Sequence, residues 1–125
     1  MYEDAVATLK KAGAQAKNIR RISVPGSFEL TQGAQLFATM KKKPDAVLCI
    51  GCVIKGETKH FDFICQAVAE GISNLGIIYG LPVIFGVLTT DNEEQARQRS
   101  GGKHGNKGVE AAIAAIKMAA LTKNF

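Results

Sequence analysis

Two nearly continuous apolar runs of strand length constrain the fold more than any other feature of the chain. The first extends from Ala46 to Ile54 (AVLCIGCVI) and the second from Pro82 to Leu88 (PVIFGVL). Such runs are typical of strands that are covered on both faces, as in a parallel sheet. Between them, apolar residues recur at helical spacing over residues 60–79, which predicts a helix. This alternation indicates an α/β domain.

The rest of the 125-residue chain alternates between helical and extended patterns without a linker or a low-complexity segment. The predicted elements are, in chain order, a helix over 3–17, a strand over 18–24, a helix that Ser27 caps and Pro44 ends, a short helix through Arg99, a flexible glycine-rich loop and a helix over 106–123. We therefore expect a single domain over residues 1–125, with helices on both faces of a parallel sheet.

Composition restricts the classes of protein to which the chain can belong. Hydrophobic residues make up 46% and charged residues 22%, which is typical of a globular domain. No apolar run approaches the roughly 20 residues of a membrane span, and no signal sequence opens the chain, so we expect a soluble cytoplasmic protein that contacts no membrane. The net charge is +5, but there is no Trp and the aromatic residues do not interleave with the basic ones. We therefore expect no nucleic-acid binding.

The three cysteines and two histidines form no recognisable redox or metal motif. Cys49 and Cys52 are spaced like a redox pair, but they lie within an apolar strand run and not at a helix N-terminus, where a thiolate is stabilised. We therefore expect packed, reduced thiols without a disulfide. His60 and His104 are far apart along the chain, and neither belongs to a known ligand spacing, so we expect no metal site.

Polar residues interrupt the apolar pattern at residues 25–29, 55–60 and 89–91. In a parallel sheet, ligands bind beyond the carboxyl ends of the strands, so these loops are expected to form the functional site. The most informative stretch is Gly56-Glu57-Thr58, between a buried strand and a helix, where backbone N–H groups favour a phosphate or another anion. An ordinary strand-to-helix turn explains the same residues equally well.

Titratable and cationic residues near these loops are the candidates for chemistry. His60 stands at the N-terminus of the predicted helix, with Asp62 nearby, and its imidazole can exchange a proton near pH 7. A surface or capping role is the alternative. Arg99 and Lys107 flank the glycine-rich loop, where Arg99 offers a forked phosphate contact and Lys107 a point charge. A solvated loop that merely reverses the chain is an equally good explanation.

Four short stretches together resemble the lumazine synthase family. They are VPGSFE (24–29), GCVIKGETKHFD (51–62), FGVLT (85–89) and GKHGNKG (102–108). They follow one another in the family's order and spacing across essentially the whole chain. The resemblance implies a three-layer α/β/α sandwich with a flavodoxin-like parallel sheet of strand order 2-1-3-4.

The resemblance also implies an activity and a set of site residues. Members of the family are transferases that condense 5-amino-6-ribitylaminouracil with 3,4-dihydroxy-2-butanone 4-phosphate, the penultimate step of riboflavin biosynthesis, and release phosphate and water. The substrate's own amine forms the imine, so no cofactor is expected. His60 matches the family's general acid/base. Further implied substrate contacts are Ser27, Phe28, Glu29, Val53 and Ile54 and, from across the subunit interface, Phe85 and Lys107. The implied phosphate contacts are Gly56, Glu57, Thr58 and a neighbouring subunit's Arg99, and Glu110 is implied to support Lys107.

Assembly is also implied by the resemblance. The family forms homopentamers with sites between adjacent subunits, and some members join these into a sixty-subunit icosahedral shell. The stretch 101–106 resembles the short loop of shell-forming members, and riboflavin synthase is an expected partner if a shell forms. A noncatalytic shell or carrier protein that binds flavin or lumazine in the same pocket is the alternative function. A flavodoxin-like signalling domain is disfavoured, because no acidic cluster stands at the strand ends.

The start of the chain departs from the family. Members begin with a strand and a loop whose aromatic residue stacks on the pyrimidine ring, whereas this sequence opens in the first predicted helix. In the order 2-1-3-4 that strand is central, so its absence leaves strand 18–24 without a neighbour and strand 46–54 with an unpaired edge. We expect the sequence shown to omit residues that the molecule has; an intact mass near 13.3 kDa would contradict this.

Overall fold

The structure is a computed structural model that describes all residues from Met1 to Phe125. The helices and strands are, in chain order, α1 (Tyr2–Lys11), α2 (Leu30–Ala38), β1 (Val47–Ile54), α3 (His60–Tyr79), β2 (Val83–Thr90), α4 (Glu93–Arg99), β3 (Ser100–Gly102), β4 (Gly105–Asn106) and α5 (Lys107–Asn124). Short 3₁₀ turns at Ala16–Asn18 and Ser27–Glu29 lie between α1 and α2.

The centre of the fold is a parallel pair of strands, β1 and β2, in which Val47 lies opposite Val83 and Ile54 opposite Thr90. Both strands coincide with the predicted apolar runs, and β2 continues past Leu88 to Thr90. The connection is α3, which begins and ends at the predicted residues. Because a parallel pair needs a crossover connection, the helical stripe between the two runs is what permits this pairing.

Helices cover both faces of the strand pair. On one face, α2 and α3 pack against the strands, and Val68 and Ile72 of α3 are the largest fully buried side chains. α5 lies on the other face. It packs closely on β2, because a Cβ added to Gly86 of β2 would lie only 3.1 Å from the Cβ of Ala111 in α5. α1 packs against α5. This is the expected mixed α/β architecture. The parallel sheet has only two strands, so it does not test the predicted four-strand order 2-1-3-4, which stays a prediction.

The predicted strand over 18–24 is wrong. Asn18 ends a 3₁₀ turn, and residues 19–24 pair with no other strand. Ile22 and Val24 nevertheless pack beside α2, since a Cβ on Gly33 would meet Val24 Cγ1 at 2.8 Å and Ile22 Cδ1 at 3.6 Å. A strand requires a backbone partner, and β1 pairs only with β2. The other edge of β1 is unpaired, as expected.

Local geometry moves two predicted helix ends. α1 ends at Lys11 and not near residue 17, because Gly13 adopts a left-handed conformation with φ 101° and turns the chain away. α2 ends at Ala38, well before Pro44. At its end, Thr39 Oγ1 donates to the Gln35 carbonyl at 2.9 Å and closes the last turn.

The glycine-rich segment after α4 is an antiparallel hairpin of β3 and β4, and not the expected flexible loop. Ser100 pairs with Asn106 across it. Gly101 and Gly105 have φ values of 116° and 94°, a conformation that favours glycine. The hairpin therefore fixes the spacing between Arg99, which precedes it, and Lys107, which follows it.

The cysteines are all unpaired. Cys49 is buried and Cys65 is partly buried, but Cys52 is exposed. Residues three apart in a strand point to opposite faces, so one member of the pair enters the core and the other does not. The expectation of packed thiols is confirmed for Cys49 and wrong for Cys52.

By length and composition alone, α3 is apolar enough to cross a membrane, so the expectation that no apolar segment approaches that length is wrong. Core helices of soluble proteins share these properties, and a single such helix is weak support for a span. Within this chain, α3 contributes Val68, Ile72 and Leu75 to the core.

Candidate active site

The carboxyl ends of β1 and β2 lie side by side, as a site at this edge of the sheet requires. The Lys55 N–H donates to the Thr90 carbonyl at 2.8 Å just beyond the paired strands. The segment that follows Pro25 reaches the same edge, because Ser27 Oγ donates to the Cys52 carbonyl of β1 at 3.2 Å. The three predicted loops therefore converge at one end of the sheet.

Ser27 does not cap α2, contrary to the prediction, because its hydroxyl holds the Ser27–Glu29 turn against β1. Gly51 permits this approach, since a Cβ there would lie 2.9 Å from Ser27 Oγ. Phe28 is 56% exposed. Together with Glu29 it borders an open cavity of about 430 Å³ between α2 and α3. This segment places an aromatic face and a carboxylate beside the end of β1.

The turn formed by Gly56, Glu57 and Thr58 presents backbone donors that nothing in the chain uses. The three amide N–H groups form no hydrogen bond within the chain, and all three residues are exposed. A Cβ on Gly56 would meet no atom within 4 Å, so the space beside it is open. The turn directly precedes α3, and the positive end of the helix dipole adds to its attraction for anions. The geometry suits a phosphate group.

His60 occupies the predicted position as the first residue of α3. Its backbone N–H donates to Thr58 Oγ1 at 3.3 Å, which ties the start of the helix to the turn. The residue is exposed, and no ion pair or hydrogen bond of the chain holds its imidazole. The ring is therefore available to a ligand bound at the turn.

A second polar group lies where α4 meets α5. Arg99 binds Glu110 through both carboxylate oxygens, with Nη1 2.9 Å from Oε1 and Nη2 3.0 Å from Oε2. Arg99 also donates to the carbonyl of His104. Lys107 Nζ lies 3.8 Å from Glu110 Oε2. Two cations thus share one carboxylate, which leaves the group with net positive charge.

The charges in this group stabilise one another. The hydrogen bond from Arg99 holds the pKa of the Glu110 carboxyl below its ordinary value, and the positive charges of Arg99 and Lys107 act in the same direction. The same hydrogen bond raises the pKa of the Arg99 guanidinium. Because these side chains are substantially exposed, the ion pair contributes little to stability, and its main consequence is to fix the direction of the guanidinium.

The other predicted contacts lie on the strands. Val53 and Ile54 end β1, whose unpaired edge leaves backbone groups open to a ligand. Phe85 lies in β2 opposite Cys49 and packs partly against the core. Its role at a subunit interface stays a prediction.

Within one chain, the predicted site residues form two separate groups. The first comprises Ser27–Glu29, the end of β1 and residues 56–60, and the second comprises Arg99, Lys107 and Glu110. No hydrogen bond or ion pair of the chain connects them. The two groups are therefore separate clusters of polar contacts in the chain.

Two residues that the sequence pattern did not single out adjoin the second group. Asn106 Oδ1 accepts from the N–H groups of Gly108 and Val109 at 2.9 and 3.2 Å and so caps α5. Asn106 Nδ2 donates to Asp4 Oδ2 at 2.9 Å. An asparagine directly before a helical pattern is a usable cap signal. Asp4 has no such signal, because it is 102 positions away in the sequence.

The family model of 6,7-dimethyl-8-ribityllumazine synthase matches residues 1–123 of the chain. The chain belongs to this lumazine synthase family. The predicted family is therefore confirmed. Residues 27–29, residues 56–60 and Lys107 lie in the stretches that carry the resemblance, whereas Arg99 and Glu110 lie outside them.

Several bacterial proteins named 6,7-dimethyl-8-ribityllumazine synthase are similar in sequence to this family member. The 6,7-dimethyl-8-ribityllumazine synthase of Cytophaga hutchinsonii is 62% identical over 122 residues, which cover 98% of this chain and 76% of that protein. Those of Flavobacterium psychrophilum and Christiangramia forsetii are 54% and 52% identical, over 97% and 99% of this chain. The chain spans 64% and 74% of the lengths of these two proteins.

Proposed function

We propose that the chain catalyses the condensation of 5-amino-6-ribitylaminouracil with 3,4-dihydroxy-2-butanone 4-phosphate in riboflavin biosynthesis, giving 6,7-dimethyl-8-ribityllumazine, phosphate and water. Membership of the family and the names of its relatives support this reaction. The observation that carries it is the row of unused N–H groups at residues 56–58, which only Lys59 separates from His60. An anion bound by these N–H groups would lie next to an imidazole, the side chain that most often acts as a general acid or base in enzymes.

Each proposed active site uses two subunits. One subunit supplies the Gly56–Thr58 turn, His60 and the Ser27–Glu29 segment, and its neighbour supplies Arg99 and Lys107. The absence of hydrogen bonds and ion pairs between these groups within one chain supports this division. Exposed apolar side chains on α3 support assembly as well, since Phe63, Ile77 and Ile78 are 68%, 78% and 74% exposed in the isolated chain. We propose a homopentamer, in which every site lies between adjacent subunits.

The residues divide the work as follows. The turn and Arg99 bind the phosphate of the butanone. The turn does so through its backbone N–H donors, and Arg99 through the guanidinium N–H groups that Glu110 and His104 leave free. Glu29 accepts hydrogen bonds from ribityl hydroxyls beside Phe28. Lys107 and Phe85 contact the pyrimidine end. Backbone groups of Val53 and Ile54 bind the same substrate.

Orientation supplies much of the catalysis, because two small substrates must be held together for a reaction that is chemically feasible without an enzyme. The amine of the pyrimidine attacks the ketone and forms the imine, so the protein contributes no nucleophile. His60 transfers protons during imine formation and phosphate elimination. The Glu110 carboxylate keeps Arg99 and Lys107 in place, and its hydrogen bond from Arg99 lowers its pKa below the ordinary value.

The direct test is to mix the purified protein with both substrates and follow the absorbance of the lumazine product and the release of phosphate. The proposal predicts that both appear together, in equal amounts and in proportion to protein concentration. Binding of lumazine or flavin without product formation would instead support the carrier alternative. The relatives named as enzymes favour catalysis over that alternative.

Assembly and location are separate proposals. Sedimentation velocity distinguishes a pentamer from a sixty-subunit icosahedral shell, and the short hairpin between Arg99 and Lys107 supports a shell only weakly. If a shell forms, riboflavin synthase, which consumes the lumazine product, is the proposed partner. A cytoplasmic location fits an enzyme with reduced thiols.

A further inference from the structure

We propose that Asp4 is a positioning residue for the Arg99–Lys107 group, acting through Asn106 from the opposite end of the sequence. This inference rests on the proposed function, because its main measurement is the kinetics of that reaction. The observation behind it is the 2.9 Å hydrogen bond from Asn106 Nδ2 to Asp4 Oδ2.

Asn106 lies between the hairpin and α5, the two elements that hold the Arg99–Lys107 group. It ends the hairpin, where it pairs with Ser100, and it directly precedes Lys107, the first residue of α5. Its Oδ1 accepts from the N–H groups of Gly108 and Val109. The orientation of this one side chain therefore sets where α5 begins and how Lys107 leaves the helix.

Asp4 determines that orientation. An amide side chain has an acceptor end and a donor end, and a carboxylate only accepts. With Asp4 on one side and the α5 donors on the other, the Asn106 amide has a single satisfactory orientation, with Oδ1 toward the helix. The Asn106 bond is also the largest influence that holds the pKa of Asp4 below its ordinary value.

The first turn of α1 lies close enough to α5 for this contact to be fixed. Gly108 is the point of nearest approach, since a Cβ there would lie only 2.1 Å from the carbonyl oxygen of Met1. Ala5, beside Asp4, is 2% exposed. Backbone contact and hydrogen bond together fasten α1 to the start of α5.

The position of α5 is transmitted to the proposed phosphate contact. Glu110 lies one turn after Asn106 on α5 and holds both nitrogens of the Arg99 fork. Arg99 also donates to the His104 carbonyl in the hairpin that Asn106 closes. A shift of Asn106 therefore moves both anchors of the guanidinium at once. Small displacements of positioning groups are costly when binding depends on orientation.

The experiment compares Asp4→Ala with Glu3→Ala. Glu3 is the adjacent exposed carboxylate of the same helical turn and forms no side-chain hydrogen bond or ion pair, so its removal changes the charge of the chain and of the helix terminus equally. We expect Asp4→Ala to raise the KM for the phosphate substrate by about two- to tenfold, the effect of one lost hydrogen bond, with kcat changed by less than about twofold. Glu3→Ala should match the wild type.

Two further variants separate positioning from general destabilisation. Asp4→Asn keeps an acceptor for Asn106 and should restore KM. Asn106→Ser keeps a cap for α5, but the serine side chain is too short to reach Asp4, so this variant should raise KM as Asp4→Ala does. If the Asp4→Ala protein does not fold, Asn106→Ser still tests the proposal. The affinity for inorganic phosphate, measured by calorimetry, should weaken in parallel.

The outcomes distinguish this inference from the proposed function. If Arg99→Ala raises KM while Asp4→Ala and Asn106→Ser leave KM and phosphate affinity unchanged, the positioning role is refuted and the site assignment survives. If wild-type protein forms no lumazine, the proposed function fails, and the calorimetric comparison of the same variants still supports or refutes the link from Asp4 to an anion site.

Discussion

Gly71 lies where α3 passes closest to α2, and the structure predicts that Gly71→Ala destabilises the protein. A Cβ at this position would lie 2.5 Å from Oγ1, 3.0 Å from Cγ2 and 3.2 Å from Cβ of Thr31. Rotation of the Thr31 side chain relieves the first two contacts only in part and the third not at all. The substitution therefore forces the two helices apart or displaces the side chain.

Two opposing effects decide the sign. Replacing glycine by alanine inside a helix ordinarily stabilises a protein by about 0.5–1 kcal/mol, because glycine loses more backbone entropy on folding. Forcing an extra carbon into a packed contact costs about 1–3 kcal/mol. The contact prevails, and we expect Gly71→Ala to lower the free energy of unfolding by roughly 0.5–2 kcal/mol.

The assay is equilibrium chemical denaturation at a fixed protomer concentration, because assembly makes stability depend on concentration. Thr31→Ala removes the two nearest atoms, so Gly71→Ala in that background should be neutral or stabilising, with a coupling energy of about 1–3 kcal/mol. Ser73→Ala, on the exposed side of α3, is the control for helix propensity. A Gly71→Ala protein as stable as the wild type, or more stable, would refute the reasoning.

Four further predictions concern the site and the thiols. His60→Ala should slow turnover without abolishing it, at the low end of the roughly 10²–10⁴-fold range typical of proton transfer, and an unchanged kcat would contradict its role. Arg99→Ala should chiefly raise the KM for the phosphate substrate, by about 10- to 100-fold, and an unchanged KM would contradict its role. Because the folded-state pKa of Glu110 is lowered, its contribution to stability is present above the unfolded value of about 4.3 and is lost as pH falls through the folded pKa. The stability difference between wild type and Glu110→Gln should accordingly shrink between pH 7 and pH 3, and a difference that grows in acid would show that the ion pair does not form. Burial raises the pKa of the Cys49 thiol to about 12, so iodoacetamide should modify Cys49 only in denaturant, while the exposed Cys52 reacts in the native protein; mass spectrometry of the labelled peptides decides this.

The apolar runs and the helical stripe between them were sufficient to predict β1, α3 and β2, because burial on both faces leaves few polar positions in a strand. The motif stretches likewise located His60 and the Gly56–Thr58 turn at the end of that sheet. These features depend on residues close together in sequence, and their patterns follow from local periodicity.

Other predictions failed where a distant partner decides the outcome. Residues 19–24 have a strand-like pattern but no strand beside them, so they pack on α2 without pairing. Serine is a residue type that commonly caps helices, yet the Ser27 hydroxyl donates a hydrogen bond to the nearby carbonyl of Cys52 instead. The glycine-rich stretch looks flexible, but pairing of Ser100 with Asn106 makes it a hairpin.

The sequence by itself determined the α/β alternation, the family and the chemical types at the site, because each is written in neighbouring residues. Only the tertiary structure decided how these groups are held. The Arg99–Glu110 pair, the bond from Ser27 to the Cys52 carbonyl and the bond from Asp4 to Asn106 join residues that the sequence separates. Such contacts depend on how helices and strands pack together. No local periodicity encodes that packing, since a side chain's partner is set by the path of the whole chain.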